Sequence, residues 1–211
     1  MPHDSIHAAP ADAGLVALLL TQLRVWKGNP RKVVGDLTEL AASIRTHGIL
    51  EPLLVRPVVP PEVVETPPPA DAPEGTLPTV RTITHEILAG QRRFLAALEA
   101  GSDSAPCLVR DVADDEALEL GLVENGQRKD PSPLEDADAM NVLIVEHGRT
   151  VEQIADKLGR DKRFVLRRLS LLGLIDTARG WLLSGRLPLA HAQQLAAVDA
   201  SVQRTVVNQY A

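Results

Sequence analysis

The stretch TVEQIADKLGRDKRFVLRRLSLL, residues 150–172, reads as two short helices joined by a tight turn. Val151, Ile154, Ala155 and Leu158 recur at three- and four-residue spacing and give the first helix one apolar face. Thr150 is an N-cap residue, and Gly159 suits a left-handed turn. Ala155 puts a small side chain where a second helix must cross closely. The second helix starts at Lys162, buries Val165, Leu169 and Leu172, and leaves Lys162, Arg163, Arg167 and Arg168 outside. This is the pattern of a helix-turn-helix, in which the second helix enters the major groove with long cationic side chains near its start. Lys162 and Arg163 are the candidates to read bases. Arg167 and Arg168 are the candidates for phosphates, contacts that position a protein without specifying sequence. Thr150, Gln153 and Arg160 complete the candidate DNA-binding set. A helical hairpin with a solvated basic face is the plainer alternative, and only the agreement of spacing, turn and charge speaks against it.

Charge supports the DNA reading locally. The 211 residues hold 22 Lys and Arg against 28 Asp and Glu, a net charge of −6 at pH 7. Residues 159–186 reverse that balance, with seven basic and two acidic side chains, and a local positive patch is what binding phosphates requires. Aromatics are only 2%, so the core must be aliphatic. Cys107 is the single cysteine, which rules out an internal disulfide. It lies in the apolar run Pro106-Cys107-Leu108-Val109 and reads as a small buried hydrophobe rather than a nucleophile. The apolar run 14–20 is too short to span a bilayer and has no basic segment before it, so a cytoplasmic chain without a membrane partner is expected.

Outward from residues 150–172, every periodic segment after residue 131 is helical, at 133–147, 178–183 and 189–197, making 131–211 an all-α DNA-binding domain. Residues 23–130 read as an α+β domain, a small mixed sheet with helices. Its strands are expected at 23–25, 52–57, 82–88 and 106–110. Its helices are expected after Asp36, with Glu39 as capping-box partner and Gly48 as terminator, at 91–100 and at 114–123. Residues 57–79 carry eight of the sixteen prolines and read as a disordered or extended insertion between two strands of a hairpin. Residues 1–22 read as a mobile leader.

Two stretches in the α+β domain suit phosphate. In TITHEILAGQRRFLAA, residues 82–97, Gly90 stands at a strand-to-helix junction followed by Gln91, Arg92 and Arg93. A helix N-terminus favours anions, glycine lets a ligand approach the backbone, and paired arginines match phosphate oxygens. Alone, this pattern also fits a solvated basic turn. In Glu124-Asn125-Gly126-Gln127-Arg128, Glu124 and Asn125 offer hard oxygen ligands of the kind Mg²⁺ takes when it is shared with phosphates. A polar helix end is the alternative there. No Walker-type G-x-x-x-x-G-K-[ST] is present. His47 and His147 each precede a glycine at a helix end, His191 sits within a helix, and no pair has zinc-ligand spacing.

Taken in order, Asn29-Pro30-Arg31, SIRTHGILEPLLVR at 43–56, GQRRFLA at 90–96, ENGQR at 124–128 with Pro133-Leu134-Glu135, and GRLPLAH at 185–191 resemble the ParB family of chromosome and plasmid partition proteins. The resemblance covers roughly residues 24–195. It implies binding of a palindromic, centromere-like double-stranded DNA site through the helix-turn-helix. It implies CTP with Mg²⁺ in the N-terminal domain, a homodimeric clamp that slides on DNA, and a ParA-type ATPase partner. Carried to these positions, Gly48, Gly90, Gln91, Arg92, Arg93, Glu124, Asn125 and Arg128 are the nucleotide-binding candidates, with Glu124 and Asn125 serving the metal. The chain would be nucleoid- or plasmid-associated.

Several positions depart from the family pattern. Gln91 stands where glutamate is usual, which leaves CTP hydrolysis open because a carboxylate that could accept a proton is lost. Glu51 stands where glutamine is common, the 57–79 insertion is atypical, and no dimerisation domain is recognisable towards residue 211. Two other functions share the scaffold: a transcriptional regulator or nucleoid-associated protein without a partition role, and a ParB-like nuclease or phosphotransferase.

Overall fold

The computed structural model describes residues 14–31, 34–67, 69, 71, 77–126 and 132–210. Arg128 lies outside the described residues. The chain divides into two compact units, Met1–Asn29 with Val33–Val112, and Pro30–Lys32 with Ala113–Ala211.

The first unit is built on a five-stranded sheet among the described residues. Its strands are β1 (Leu15–Leu19), β2 (Leu23–Val25), β3 (Leu53–Thr66), β4 (Thr79–Ala89) and β5 (Ser104–Val109), in the order β1-β5-β3-β4-β2. β3 pairs antiparallel with β4 and parallel with β5, β1 is antiparallel to β5, and β2 is parallel to β4. The leader expected through residue 22 thus gives way at Leu15 to an edge strand and a 3-10 turn, Leu20–Gln22.

Helices α1 (Thr38–His47) and α2 (Gln91–Ala100) pack on this sheet. Ala41 and Ile44 of α1 and Phe94, Ala96 and Ala97 of α2 share one cluster with Leu53, Val55, Ile87, Ala105 and Cys107 of the strands. Burial pushes the Cys107 thiol up to about 11, as suits a packing residue rather than a nucleophile. Asp36 accepts bonds from the backbone and hydroxyl of Thr38 and starts α1, one residue earlier than an ordinary N-cap.

The proline-rich stretch is extended where it is described. β3 continues to Thr66 and pairs again with Thr79–Ile83 of β4. Residues 58–61 face the single Thr84, because the pairing steps from Pro57↔His85 to Glu62↔Ile83. Pro60 and Pro61 lack the N–H that a ladder needs, so a bulge belongs there.

A buried charge cluster joins three strands. The Glu86 carboxylate, 7% exposed, receives Arg24 Nε at 3.0 Å on one oxygen and Arg56 Nη2 at 2.9 Å on the other. Arg56 also donates to the Val112 carbonyl at 3.1 Å and lies 5.1 Å over the Trp26 ring.

The second unit is helical among its described residues: α3 (Asp114–Gly126), α4 (Pro133–Val145), α5 (Val151–Leu158), α6 (Lys162–Ser170), α7 (Asp176–Leu183), α8 (Leu189–Leu195) and α9 (Ala200–Tyr210). Helix α3, expected to close the α+β domain, belongs to this unit. Its Ala117, Leu118 and Leu122 are buried, and Glu119 binds Arg149 and Lys157. Leu134, Ala137, Leu171, Leu174, Ala178, Ala192 and Val207 form one core cluster. Gln203 of α9, 1% exposed, accepts from Ile175 N and donates to the carbonyls of Gly173 and Val198, so a side chain supplies what the backbone there lacks.

Candidate functional site

The DNA-facing candidates are set by α5 and α6. Thr150 and Gln153 form a reciprocal capping box, Gln153 N to Thr150 Oγ1 at 3.2 Å and Thr150 N to Gln153 Oε1 at 2.8 Å. Their hydroxyl and amide N–H donors are not used by the box. Gly159 sits at φ 61°, ψ 34°, the left-handed turn, and the Asp161 carboxylate caps Phe164 N at 2.6 Å to start α6. Ile154, Ala155 and Val165 close the interface between the two helices at 0–1% exposure.

Arg160, Lys162, Arg163 and Arg167 are exposed. Lys162 meets Glu152 at 2.8 Å, an exposed ion pair that is easily exchanged for another anion. Arg160 lies 5.5 Å over Phe164.

Arg168 is a correction. It was expected outside as a phosphate contact, but it is 9% exposed, its Nε donates to Asp136 Oδ2 at 3.2 Å, and its guanidinium lies 4.9 Å over Phe164. The reason is helical period: residue 168 follows Val165 by three positions and so shares its buried side. Leu172 is only half-buried, and Leu171 takes the core position in a 3-10 turn, Leu171–Gly173.

In the first unit, Gly90 joins β4 to α2 at φ 96°, ψ 17°. A Cβ there would meet Leu53 Cδ2 at 2.8 Å, so both conformation and space call for glycine. The first turn of α2 is therefore reached by close-packed backbone. Arg92 and Arg93 are half-buried and turn to either side of it. Arg92 donates to the carbonyls of Val34 and Asp36, the latter at 2.8 Å. Arg93 donates to the carbonyls of Glu51 and Pro52 at 2.7 and 2.8 Å and lies 3.5 Å from the Glu51 carboxylate. The two arginines hold the loop before α1 and the loop that begins at Gly48 against the start of α2. The buried Oε1 of Gln91 meets no hydrogen-bond partner among the described residues.

Glu124 and Asn125 lie on the last turn of α3, in the second unit. Glu124 is half-buried. Asn125 is 3% exposed, with Nδ2 donating to Asp136 Oδ1. Burial raises the Asp136 carboxyl above the ordinary range, against the lowering pull of Asn125 and Arg168. Among the described residues no group of three or more His, Cys, Asp or Glu could hold a metal by themselves. One carboxylate and one amide oxygen on adjacent residues fit Mg²⁺ only in the form that keeps its waters and shares phosphates.

Asp136, Glu119 and Gln203 escaped the sequence reading. Asp136, an acid in a first helical turn, looks like a capping residue, while a mid-helix glutamate such as Glu119 and a glutamine in an amphipathic helix look solvated. Only the packing of partners distant in sequence buries them.

Comparison with known proteins matches two successive stretches of the chain, and the first of them includes α3. Residues 75–126 match the ParB N-terminal domain, and residues 129–211 match the ParB HTH domain. The chain belongs to the ParB family. It is 40% identical over 185 residues to the chromosome-partitioning protein Spo0J of Thermus thermophilus, covering 87% of this chain and 60% of that one. It is 38% identical over 162 residues to the chromosome-partitioning protein ParB of Caulobacter vibrioides, covering 77% of this chain and 47% of that one. The chain thus spans about half to three-fifths of the length of such relatives. Among solved structures, the C-terminally truncated ParB of Caulobacter crescentus complexed to the centromeric parS site is 30% identical, with a TM-score of 0.58 and 93% of both chains covered. The same protein complexed with CTP-gamma-S is 32% identical, covering 92% of this chain and 99% of that one, with a TM-score of 0.41.

Proposed function

We propose that this chain is a sequence-specific DNA-binding protein of DNA partition that recognises a palindromic, centromere-like site and acts as a CTP-dependent clamp. The observation that carries the DNA reading is the exposed row Lys162, Arg163 and Arg167 on the second helix of a fully capped helix-turn-helix. A family relative complexed to parS supports the choice of site. In this reading Arg163 reads a base edge, aided by Lys162. Arg167, Arg160, Thr150 and Gln153 reach phosphates.

The nucleotide reading rests on the family resemblance of GQRRFLA and on the glycine-led start of α2, where first-turn N–H groups that have no partner within the helix favour an anion. The buried Oε1 of Gln91, unpartnered among the described residues, is an acceptor that would suit a donor group of the ligand or of a bound water rather than a phosphate oxygen. CTP would lie with its phosphates at Gly90, Arg92 and Arg93, next to the loop from Gly48. The family resemblance further assigns Arg128 to the nucleotide and Glu124 and Asn125 to Mg²⁺, which would supply charge neutralisation on the phosphates. Gln91 has no carboxylate to take a proton from water, so slow CTP turnover is expected. A second copy of the chain, a ParA-type ATPase and a cytoplasmic, nucleoid- or plasmid-associated location complete the proposal. No helix among the described residues is long and apolar enough to cross a membrane.

Fluorescence anisotropy tests the DNA half. Arg163→Ala is expected to cost about 1–3 kcal/mol on a parS duplex and little on a scrambled one. An equal loss on both duplexes would make Arg163 a phosphate contact. Calorimetry with CTP and Mg²⁺, against ATP and GTP, tests the nucleotide half; no CTP heat with or without parS DNA would remove it.

A further inference from the structure

The end of α3 and the recognition helix α6 are joined by a buried polar chain that DNA contact does not use. Asn125 Nδ2 donates to one oxygen of Asp136, and Arg168 Nε donates to the other at 3.2 Å. The three residues are 3%, 4% and 9% exposed. Arg168 lies 4.9 Å over Phe164, one turn back on α6, and Phe164 N is the amide that Asp161 caps at the start of that helix. One carboxylate therefore serves both partners at once, where water has little access to replace either. A buried carboxylate is costly unless its donors are kept, so a change at one oxygen is felt at the other.

The other helix of the pair is attached differently. Arg149, just ahead of α5, and Lys157 on it bind Asp115 and Glu119 in the body of α3 at 2.6–3.3 Å. The polar tie from the last turn of α3 runs instead to α6.

We propose that Asn125–Asp136–Arg168 is a relay that sets the position of α6, so that whatever engages Asn125 changes how well the recognition helix fits a specific DNA site. Asp136 and Arg168 are positioning residues in this scheme, and neither touches DNA. The relay rests on the DNA reading of α6. It also gives the nucleotide reading a route to DNA, because Asn125 is one of the residues assigned to the metal.

The test uses the full chain without nucleotide, so it does not depend on CTP binding. Anisotropy is measured on a parS duplex and on a scrambled duplex of equal length, for wild type, Asn125→Ala, Asp136→Asn and the double variant, with thermal melts alongside. Each single substitution is expected to lower the specific-to-scrambled affinity ratio about tenfold. Scrambled-duplex affinity should stay within about twofold, because Lys162, Arg163 and Arg167 remain exposed. The double variant should be no worse than the poorer single, since both cut one chain. An unchanged ratio in Asp136→Asn, or losses that multiply in the double variant, would overturn the relay. A variant that only loosens the fold would weaken both duplexes together and melt lower, leaving the ratio unchanged, which also counts against it. Arg168→Lys is the second route: it keeps the positive charge but has no Nε–H at the place where Arg168 meets Asp136, and it should lose the same tenfold. If wild type shows no preference between the duplexes, the DNA reading fails and the relay with it. If the ratio behaves as expected while CTP gives no heat, the relay stands and only the nucleotide reading falls.

Discussion

Arg92→Ala is expected to weaken CTP binding about 100-fold while leaving recognition of a parS duplex within about twofold. Arg92 holds the carbonyls of Val34 and Asp36, and Asp36 in turn starts α1 by capping Thr38. A guanidinium has more N–H donors than these two bonds use, so it can brace the loop and still face an anion. Truncation removes both functions. Two charge-assisted bonds at about 1.5 kcal/mol each give about 3 kcal/mol, which is roughly two decades in affinity. Arg92→Lys keeps the charge but cannot span two carbonyls, and should fall between. Calorimetry and anisotropy on the same preparations check this. If DNA recognition collapses along with CTP binding, the division of labour between the two units is wrong.

Glu86→Ala should be the most damaging single change to the sheet. The carboxylate is shared by Arg24 of β2 and Arg56 of β3, and its removal leaves two guanidinium groups facing each other with little water to replace it. Breaking a buried pair in this way costs about 3–5 kcal/mol. For a unit of this size that corresponds to a melting temperature lower by roughly 10–30 °C. Glu86→Gln keeps the shape and one acceptor and should cost less. Arg24 also pairs with the exposed Glu62, and a melt shifted by less than about 3 °C would show that this contact, rather than Glu86, holds the cluster.

The helix-turn-helix was legible because each of its signals is local. The N-cap at Thr150, the glycine turn and the apolar face of the first helix all lie within 23 consecutive residues; the structure builds the cap and the turn as read, and adds Gln153 to make the cap reciprocal. Gly90 was legible for the same reason, as a break between a strand pattern and a helix pattern. Arg168 was not legible as buried, because its charge points outward while its helical period points inward. A buried arginine becomes acceptable only through Asp136, 32 residues away. Strand β1 was missed because five apolar residues mean little until they pair with β5, some 90 positions on. The end of α3 was placed three residues early, since nothing local signals that Asn125 will find Asp136. Helix α9 was not anticipated at all: only Gln203 and Val207 are buried on it, too sparse a stripe to read.

The long β3–β4 ribbon has a cost that its prolines offset. Val59, Val63 and Val80 are exposed on it, at 86%, 63% and 57%. Valines on a two-stranded extension, with open edges, are what invites a neighbouring molecule to add its own strand and start a fibre. Pro60 and Pro61 break the ladder midway, so an incoming strand would find no continuous row of donors. The ribbon thus carries its own obstacle to edge-on pairing with a second copy.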